Sequence, residues 1–220
     1  MDILTFLAQN AGTLGLLALG HILLSVVALV VSIVLAVPVG AYVGHLHRFS
    51  FLAINGGNVL RALPTLALVA VMLTLVGFGF TNITIALVVL AFPLILTNAY
   101  TAVEGVNPGI VEAARGMGMT SNQILLRVEL PNALPLIMTG IRTAWVYTVA
   151  TAYLAVFAGS PGTLGDIIGN PSGFGISGII AAALVAIVIA FGGAGLLGLA
   201  ERAITPRGLT LARTAAIAAA

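Results

Sequence analysis

Ile22-Leu-Leu-Ser-Val-Val-Ala-Leu-Val-Val-Ser-Ile-Val-Leu-Ala-Val37 carries no charge, and its only polar groups are two serine hydroxyls. The apolar character extends both ways. No Asp, Glu or Arg lies between Asp2 and Arg48, and His21 is the only histidine before His45. Crossing the hydrocarbon of a bilayer takes about 20 apolar residues as a helix. The run therefore predicts one spanning helix from about Leu14 to Tyr42, with residues 3–11 lying at the interface and Pro38 kinking the inner end. Met1-Asp2 lacks the basic start of a cleavable signal, and the apolar segment behind it is too long for one.

The rest of the chain repeats this pattern. It has 220 residues, 60% hydrophobic and 6% charged, against about 25% charged in ordinary globular domains. So few charges cannot cover a water-facing surface, so lipid is the main solvent. Further spans are expected at about Leu63–Phe78, Ile83–Ala102, Leu134–Ala158 and Ile176–Ala200, with Gly77-Phe-Gly-Phe-Thr-Asn82 as a tight turn. The reading is an all-α polytopic membrane protein of one domain (1–220), with five transmembrane helices and a flexible tail over 205–220. The positive-inside rule orients it. With the N-terminus outside, Arg48, Arg61, Arg115, Arg127, Arg142, Arg202, Arg207 and Arg213 all fall on or near the cytoplasmic side, while the outer segments hold Asp2 and Asp166. The expected topology is N-out, C-in.

One polar loop interrupts the apolar pattern, over residues 104–131. Asn107-Pro108 can start a helix, since Asn caps and Pro loses no hydrogen bond at the first position. The helix Gly109–Arg115 meets Gly116-Met-Gly118, where glycine allows a left-handed turn. Thr120-Ser-Asn-Gln123 has capping-box spacing and opens a second helix. Leu130-Pro131 is expected to end that helix, and Asn132 to cap the fourth span. An ordinary amphipathic connector is the plain alternative.

The pattern Glu112-Ala113-Ala114, three residues, Gly118, nine residues, then Val128-Glu129-Leu130-Pro131 resembles the EAA loop of bacterial ATP-binding-cassette importer permeases. That family's usual pattern has Ile where Val128 stands, a swap between β-branched residues of similar volume. The resemblance implies a short cytoplasmic helix seated in a groove of a separate ATPase subunit, whose closure switches the pathway. Glu112 then offers a charged contact, Ala113 and Ala114 allow close approach, and Gly118 forms the bend. Arg115 is available to pair with ATPase acids, and Leu130 and Pro131 complete the motif. The implied assembly holds two ATPases, a second permease and a separate substrate-binding protein in a bacterial inner membrane. ATP and magnesium belong to the ATPase, and this chain carries no cofactor, no metal and no catalytic group. The absence of Lys excludes a phosphate-binding Gly-Lys loop, and the absence of Cys excludes thiol chemistry. A few arginines do not make a nucleic-acid surface.

The likeness continues through Arg61-Ala-Leu-Pro-Thr-Leu-Ala-Leu68, Val76-Gly-Phe-Gly-Phe80 and Glu112–Arg142, and there it is similar to permeases of osmoprotectant importers. These carry glycine betaine, carnitine or choline. Some relatives fuse a binding domain to the permease. This chain ends at Ala220 without one, which points to a separate binding protein. Methionine-type importers share the loop and the short five-span form and stand as the alternative. A carrier driven by ions is a remoter one, because spans two, three and five hold no ionisable group in their cores.

Aromatic faces attract quaternary ammonium groups, so Tyr100, Trp145, Tyr147, Tyr153 and Phe157 are pathway candidates, with helix packing as the alternative. Thr139, Thr143, Tyr147 and Thr151 form a polar stripe. It either lines the path or bonds back to the helix's own carbonyls. His21, with Ser25 a turn away, reads as a hydrogen-bonded structural histidine, and His45 and His47 as interfacial cations. Gly192, Gly193, Gly195 and Gly198 offer a small-residue packing face. Ser160–Gly175 is expected as an outer loop, either a docking or gating element or a plain connector.

Overall fold

The computed structural model describes residues 2–47, 55–57, 59–60 and 62–205. Arg48, Arg61, Arg207 and Arg213 and the tail beyond Thr205 lie outside the described residues. Those described are mostly helical, with no strand among them. Helix α1 is Ile3–Gln9, capped by Asp2, and α2 is Ala11–Leu46. Helix α3 is Thr65–Val76, α4 Phe80–Glu104, α5 Pro108–Gly116 and α6 Ser121–Ile124. A π-helical turn over Leu125–Glu129 carries α6 into α7, Leu130–Thr151, which ends in a 3-10 turn over Ala152–Val156. Then come the short α8, Gly165–Gly169, and α9, Pro171–Ile204.

Among the described residues, four helical stretches are long and apolar enough to cross a membrane: Ala11–Leu46, Phe80–Glu104, Ser121–Val156 and Pro171–Ile204. The second expected span is present as α3, but its 12 residues cover only about 18 Å, less than the roughly 30 Å of hydrocarbon.

Helix directions follow from close contacts. Gly40 of α2 lies against Leu96 and Ala99 of α4, and Gly44 against Tyr100 and Val103. Residue numbers rise together, so α2 and α4 run parallel. The chain between them must return along the bundle, from the level of Tyr100 to that of Phe80, about 30 Å. Helix α3 covers part of that return and turns into α4 at Gly77 and Gly79, both at positive φ. The buried Asn82 locks the turn by donating to the Gly77 carbonyl at 2.9 Å. Helix α7 runs the other way, since Gly140 meets Asn98 while Val149 meets His21. Helix α9 reverses again, with Tyr153 bonded to Ala182 and Arg142 to Glu201.

The Gly40-xxx-Gly44 pair lets two backbones approach closely. A Cβ at Gly40 would lie 2.7 Å from the Leu96 carbonyl oxygen. Between lipid-embedded helices such packing replaces the hydrophobic drive that water would supply. The main core joins α2, α4 and α7 around Ala36, Ile95, Ala99, Ile137, Ala144 and Trp145. Large apolar side chains also point outward, among them Val188 at 71% and Phe191 at 75% exposure. Apolar area on that scale has to meet lipid or another protein.

Three local expectations are corrected. Leu130-Pro131 does not end the second loop helix. Pro131 sits in the first turn of α7, where the π-helical turn before it absorbs the register change, and helix runs unbroken from Ser121 to Val156. Asn132 is then inside a helix, where its side chain donates to the Val128 carbonyl at 2.6 Å instead of capping. The Ser160–Gly175 segment is not a loose connector, because Leu164 and Ile167 are fully buried in a core shared with Phe6, Leu14, Ala181 and Ala182. Helix α9 starts at Pro171 and bends at Gly175, whose φ is +63°.

Candidate functional site

Polar side chains gather at the end of the bundle where α2 and α4 finish. The loop there is built as two capped helices joined by an elbow. Asn107 caps α5, accepting the Gly109 N–H at 2.8 Å, with Pro108 at the first position. The helix ends in a Schellman motif. The Met119 N–H donates to the Ala114 carbonyl at 3.2 Å and the Gly118 N–H to Arg115 at 3.0 Å, with Gly118 at φ +82°. Thr120 and Gln123 then form a reciprocal capping box at the start of α6. These caps satisfy several of the end groups that a helix terminus leaves unpaired, and they hold the elbow in one conformation.

Glu112, Ala113 and Arg115 are exposed on α5. Ala114 is not, at 1% exposure. It packs inward, so its small side chain serves the chain's own packing instead of an approaching partner. Leu130 packs against the main core, and Pro131 is half-buried in α7. Leu130 and Pro131 thus hold the segment to the bundle and do not share the exposed surface. Two exposed residues extend that surface: Met117, 76% exposed at the elbow's tip, and Leu126 at 63%. An apolar side chain between two glycines in a polar loop was the signal for Met117. A Cβ at Gly118 would meet nothing of this chain within 4 Å, so the outside of the bend is open.

Beneath the elbow lies a polar contact between distant segments. The Nδ1 of His45, at the end of α2, is 2.5 Å from Glu129 Oε2, and its Nε2 is 2.6 Å from Ser121 Oγ. Glu129 is 1% exposed. His45 is therefore no free interfacial cation but a fixed bridge. His47 stays exposed and bonds back to the His45 carbonyl. Arg142 reaches Glu201 at 2.8 Å, tying α7 to α9.

The aromatic and threonine candidates do not form one site. Tyr100 is buried at 2% exposure where α4 packs on α2. Tyr153 turns to α9, donating to the Ala182 carbonyl at 2.7 Å, beside the His21 ring. Tyr147 lies on another face of α7, 54% exposed, because six residues advance a helix by about 240°. Thr143 is exposed near Tyr147, and Thr151 is half-buried at the helix end. Thr139 and Thr143 donate to the carbonyls of Pro135 and Thr139, which is local back-bonding. Trp145 is buried, donating to the Ala190 carbonyl at 3.0 Å. His21 is fully buried, its Nε2 2.9 Å from the Val149 carbonyl, and Ser25 donates to the His21 carbonyl. It is a hydrogen-bonded histidine between α2 and α7. Of the glycine face on α9, Gly193 meets Trp145 and Gly198 meets Arg142 within the same chain, while Gly192 and Gly195 face open space.

Residues 36–207 match the family described as the inner membrane component of binding-protein-dependent transport systems. The chain belongs to that family. It is thus a membrane permease component of an ATP-binding-cassette importer and not an enzyme, with ATP hydrolysis carried out by a separate subunit. It is 35% identical to the glycine betaine/carnitine/choline transport system permease protein OpuCB of Bacillus subtilis, over 94% of this chain and 96% of that protein. It is 36% identical to the choline transport system permease protein OpuBB of the same organism, over 94% and 95%. Among solved structures it resembles an inward-facing form of the MetNI methionine transporter, with a TM-score of 0.78 over 90% of this chain and 99% of that one. Identity there is 21%, so this likeness concerns the fold alone.

Proposed function

We propose that this permease passes a quaternary-amine osmoprotectant (glycine betaine, carnitine, choline or a close analogue) through the inner membrane, driven through the Glu112–Gly118 elbow by its ATPase. The observation that carries the substrate class is the 35% identity, along nearly the whole chain, to a permease named for those amines. The methionine transporter matches this chain in fold, at 21% identity.

The topology is five crossings, N-out and C-in. It is supported by the parallel course of α2 and α4, which makes the intervening chain return about 30 Å, and by Arg115, Arg127 and Arg202 standing at the coupling end. Two copies of this permease, or this chain with a related one, enclose the path. Two ATPases, which hold ATP and magnesium, dock below, and a separate binding protein delivers the solute above. The exposed face of α7, with Thr139, Thr143 and Tyr147, is the part of this chain that meets the path. Tyr147 offers an aromatic face to a cation that has left the binding protein.

In the coupling step, Glu112, Arg115 and Met117 enter the ATPase groove. The Schellman elbow transmits its movement to α4 and α7 as a rigid body. The contact is apolar as well as charged, since exposed ion pairs alone contribute only about 0–1 kcal/mol.

Uptake into proteoliposomes holding the permease, its ATPase and its binding protein tests the substrate. Radiolabelled glycine betaine or choline should accumulate with ATP, be displaced by excess unlabelled quaternary amine, and ignore methionine. Uptake of methionine in place of the amines would overturn the substrate assignment.

A further inference from the structure

The coupling segment is joined by chain to two long helices, to α4 through Gly105 and Val106 and to α7 through unbroken helix. Helix α2 has no such covalent link, because α3 and α4 intervene in the chain between it and the coupling segment. Among the described residues, every hydrogen bond between α2 and the coupling segment passes through His45. Its Nδ1–H donates to the Glu129 carboxylate and its Nε2 shares a hydrogen with Ser121. Ser121 opens α6 and Glu129 closes the π-helical turn, so one ring grips both ends of the stretch that follows the elbow.

This joint is directional. A cleft of about 380 Å³ lies beside the ring, lined by His45, His47, Arg115, Ser121 and Glu129 among others. Packing alone leaves the imidazole room to swing, and the two hydrogen bonds fix it. On its other side, α2 is locked to α4 at Gly40 and Gly44, five residues and one residue before His45. A displacement of the elbow that reaches His45 is therefore handed to α2 with little slack.

We infer that His45 is a positioning residue of the coupling machinery, the joint through which movement of the coupling segment is passed to α2. This rests on the proposed role of the Glu112–Gly118 elbow as the ATPase contact, and it adds a third helix to the two moved through the chain itself.

The test uses the full complex in proteoliposomes, with glycine betaine or choline as solute, whichever its binding protein holds, and reads transport per ATP hydrolysed. His45→Ala assembles with the ATPase, but its transport per ATP falls about fivefold or more, the lower end of ordinary coupling between sites. His45→Gln, whose amide supplies an N–H donor and a carbonyl acceptor in place of the two ring nitrogens, recovers most of the loss. The natural chain has no cysteine, so His45→Cys with Ser121→Cys can be bridged by a short bis-methanethiosulfonate, which forms a disulfide with each thiol and releases methanesulfinate, and bridging restores coupling. An unchanged ratio in His45→Ala overturns the inference. If His45→Ala does not assemble, the bridged pair decides: failure to restore coupling overturns it. Gly118→Asp runs alongside. Full coupling in that variant defeats the elbow reading itself, whereas its loss together with an indifferent His45→Ala defeats only the His45 joint.

Discussion

Gly193 of α9 lies against the indole of Trp145 on α7, so close that a Cβ at 193 would overlap Cε2, Nε1 and Cζ2. The same indole donates to the Ala190 carbonyl one turn earlier on α9. The largest aromatic in the chain is thus both wedged and bonded into one small-residue notch, which sets the spacing of α7 and α9. Lower down, Arg142 and Glu201 close the same helix pair.

Gly193→Ala should therefore force the two helices apart. Overpacking a tight contact costs about 1–3 kcal/mol. The thermal unfolding midpoint of the purified permease in detergent should drop. Gly192→Ala and Gly195→Ala, which meet open space, should leave it unchanged or raise it slightly, since alanine favours helix over glycine by about 1 kcal/mol. Equal losses at all three positions would contradict the notch.

Gly118→Asp should leave the permease inserted in normal amounts while ATP hydrolysis no longer drives uptake. Holding a non-glycine residue in the left-handed region costs about 1–2 kcal/mol, which the rest of the fold can absorb. The new side chain meets nothing of its own chain and projects where the ATPase groove has to close. Permease content by membrane immunoblot, alongside uptake and hydrolysis rates, separates the two effects.

Tyr147→Leu should lower uptake of a quaternary amine about two- to fivefold, the loss of one exposed cation–π contact of roughly 0.5–1 kcal/mol. Tyr147→Phe keeps the ring and should stay near the parent rate. Thr143→Val should matter less, because the Thr143 hydroxyl already donates to the Thr139 carbonyl. Initial uptake rates at subsaturating solute read all three.

Much of the architecture could be read from one dimension. Long apolar runs between charges marked α2, α4, α7 and α9, and local capping chemistry marked the loop. Asn107-Pro108, Gly118 and the Thr120–Gln123 box all act within four residues of themselves, so sequence spacing describes them well. What escaped was long-range. His45 and Glu129 are 84 positions apart, and nothing in either neighbourhood signals the other. The inward turn of Ala114 was hidden for a related reason, since spacing does not say which side of a short helix meets its own chain. The run through Leu130-Pro131 was misread because proline usually ends a helix, whereas here it stands in the first turn of α7, behind a π-helical turn. Gly40 and Gly44 did carry a readable four-residue small-residue spacing, but in a uniformly apolar helix it does not stand out until the partner helix is known.

The central claim is that the elbow is the surface on which the ATPase acts. A cysteine-free parent allows a direct measurement: place a thiol-reactive photocrosslinker at Met117→Cys, and separately at Ser172→Cys near the start of α9, in the assembled complex. The Met117 probe should capture the ATPase subunit, with the yield changing when ATP binds, and the Ser172 probe should never do so. An assembled, transporting complex in which the Met117 probe captures no ATPase would contradict the account.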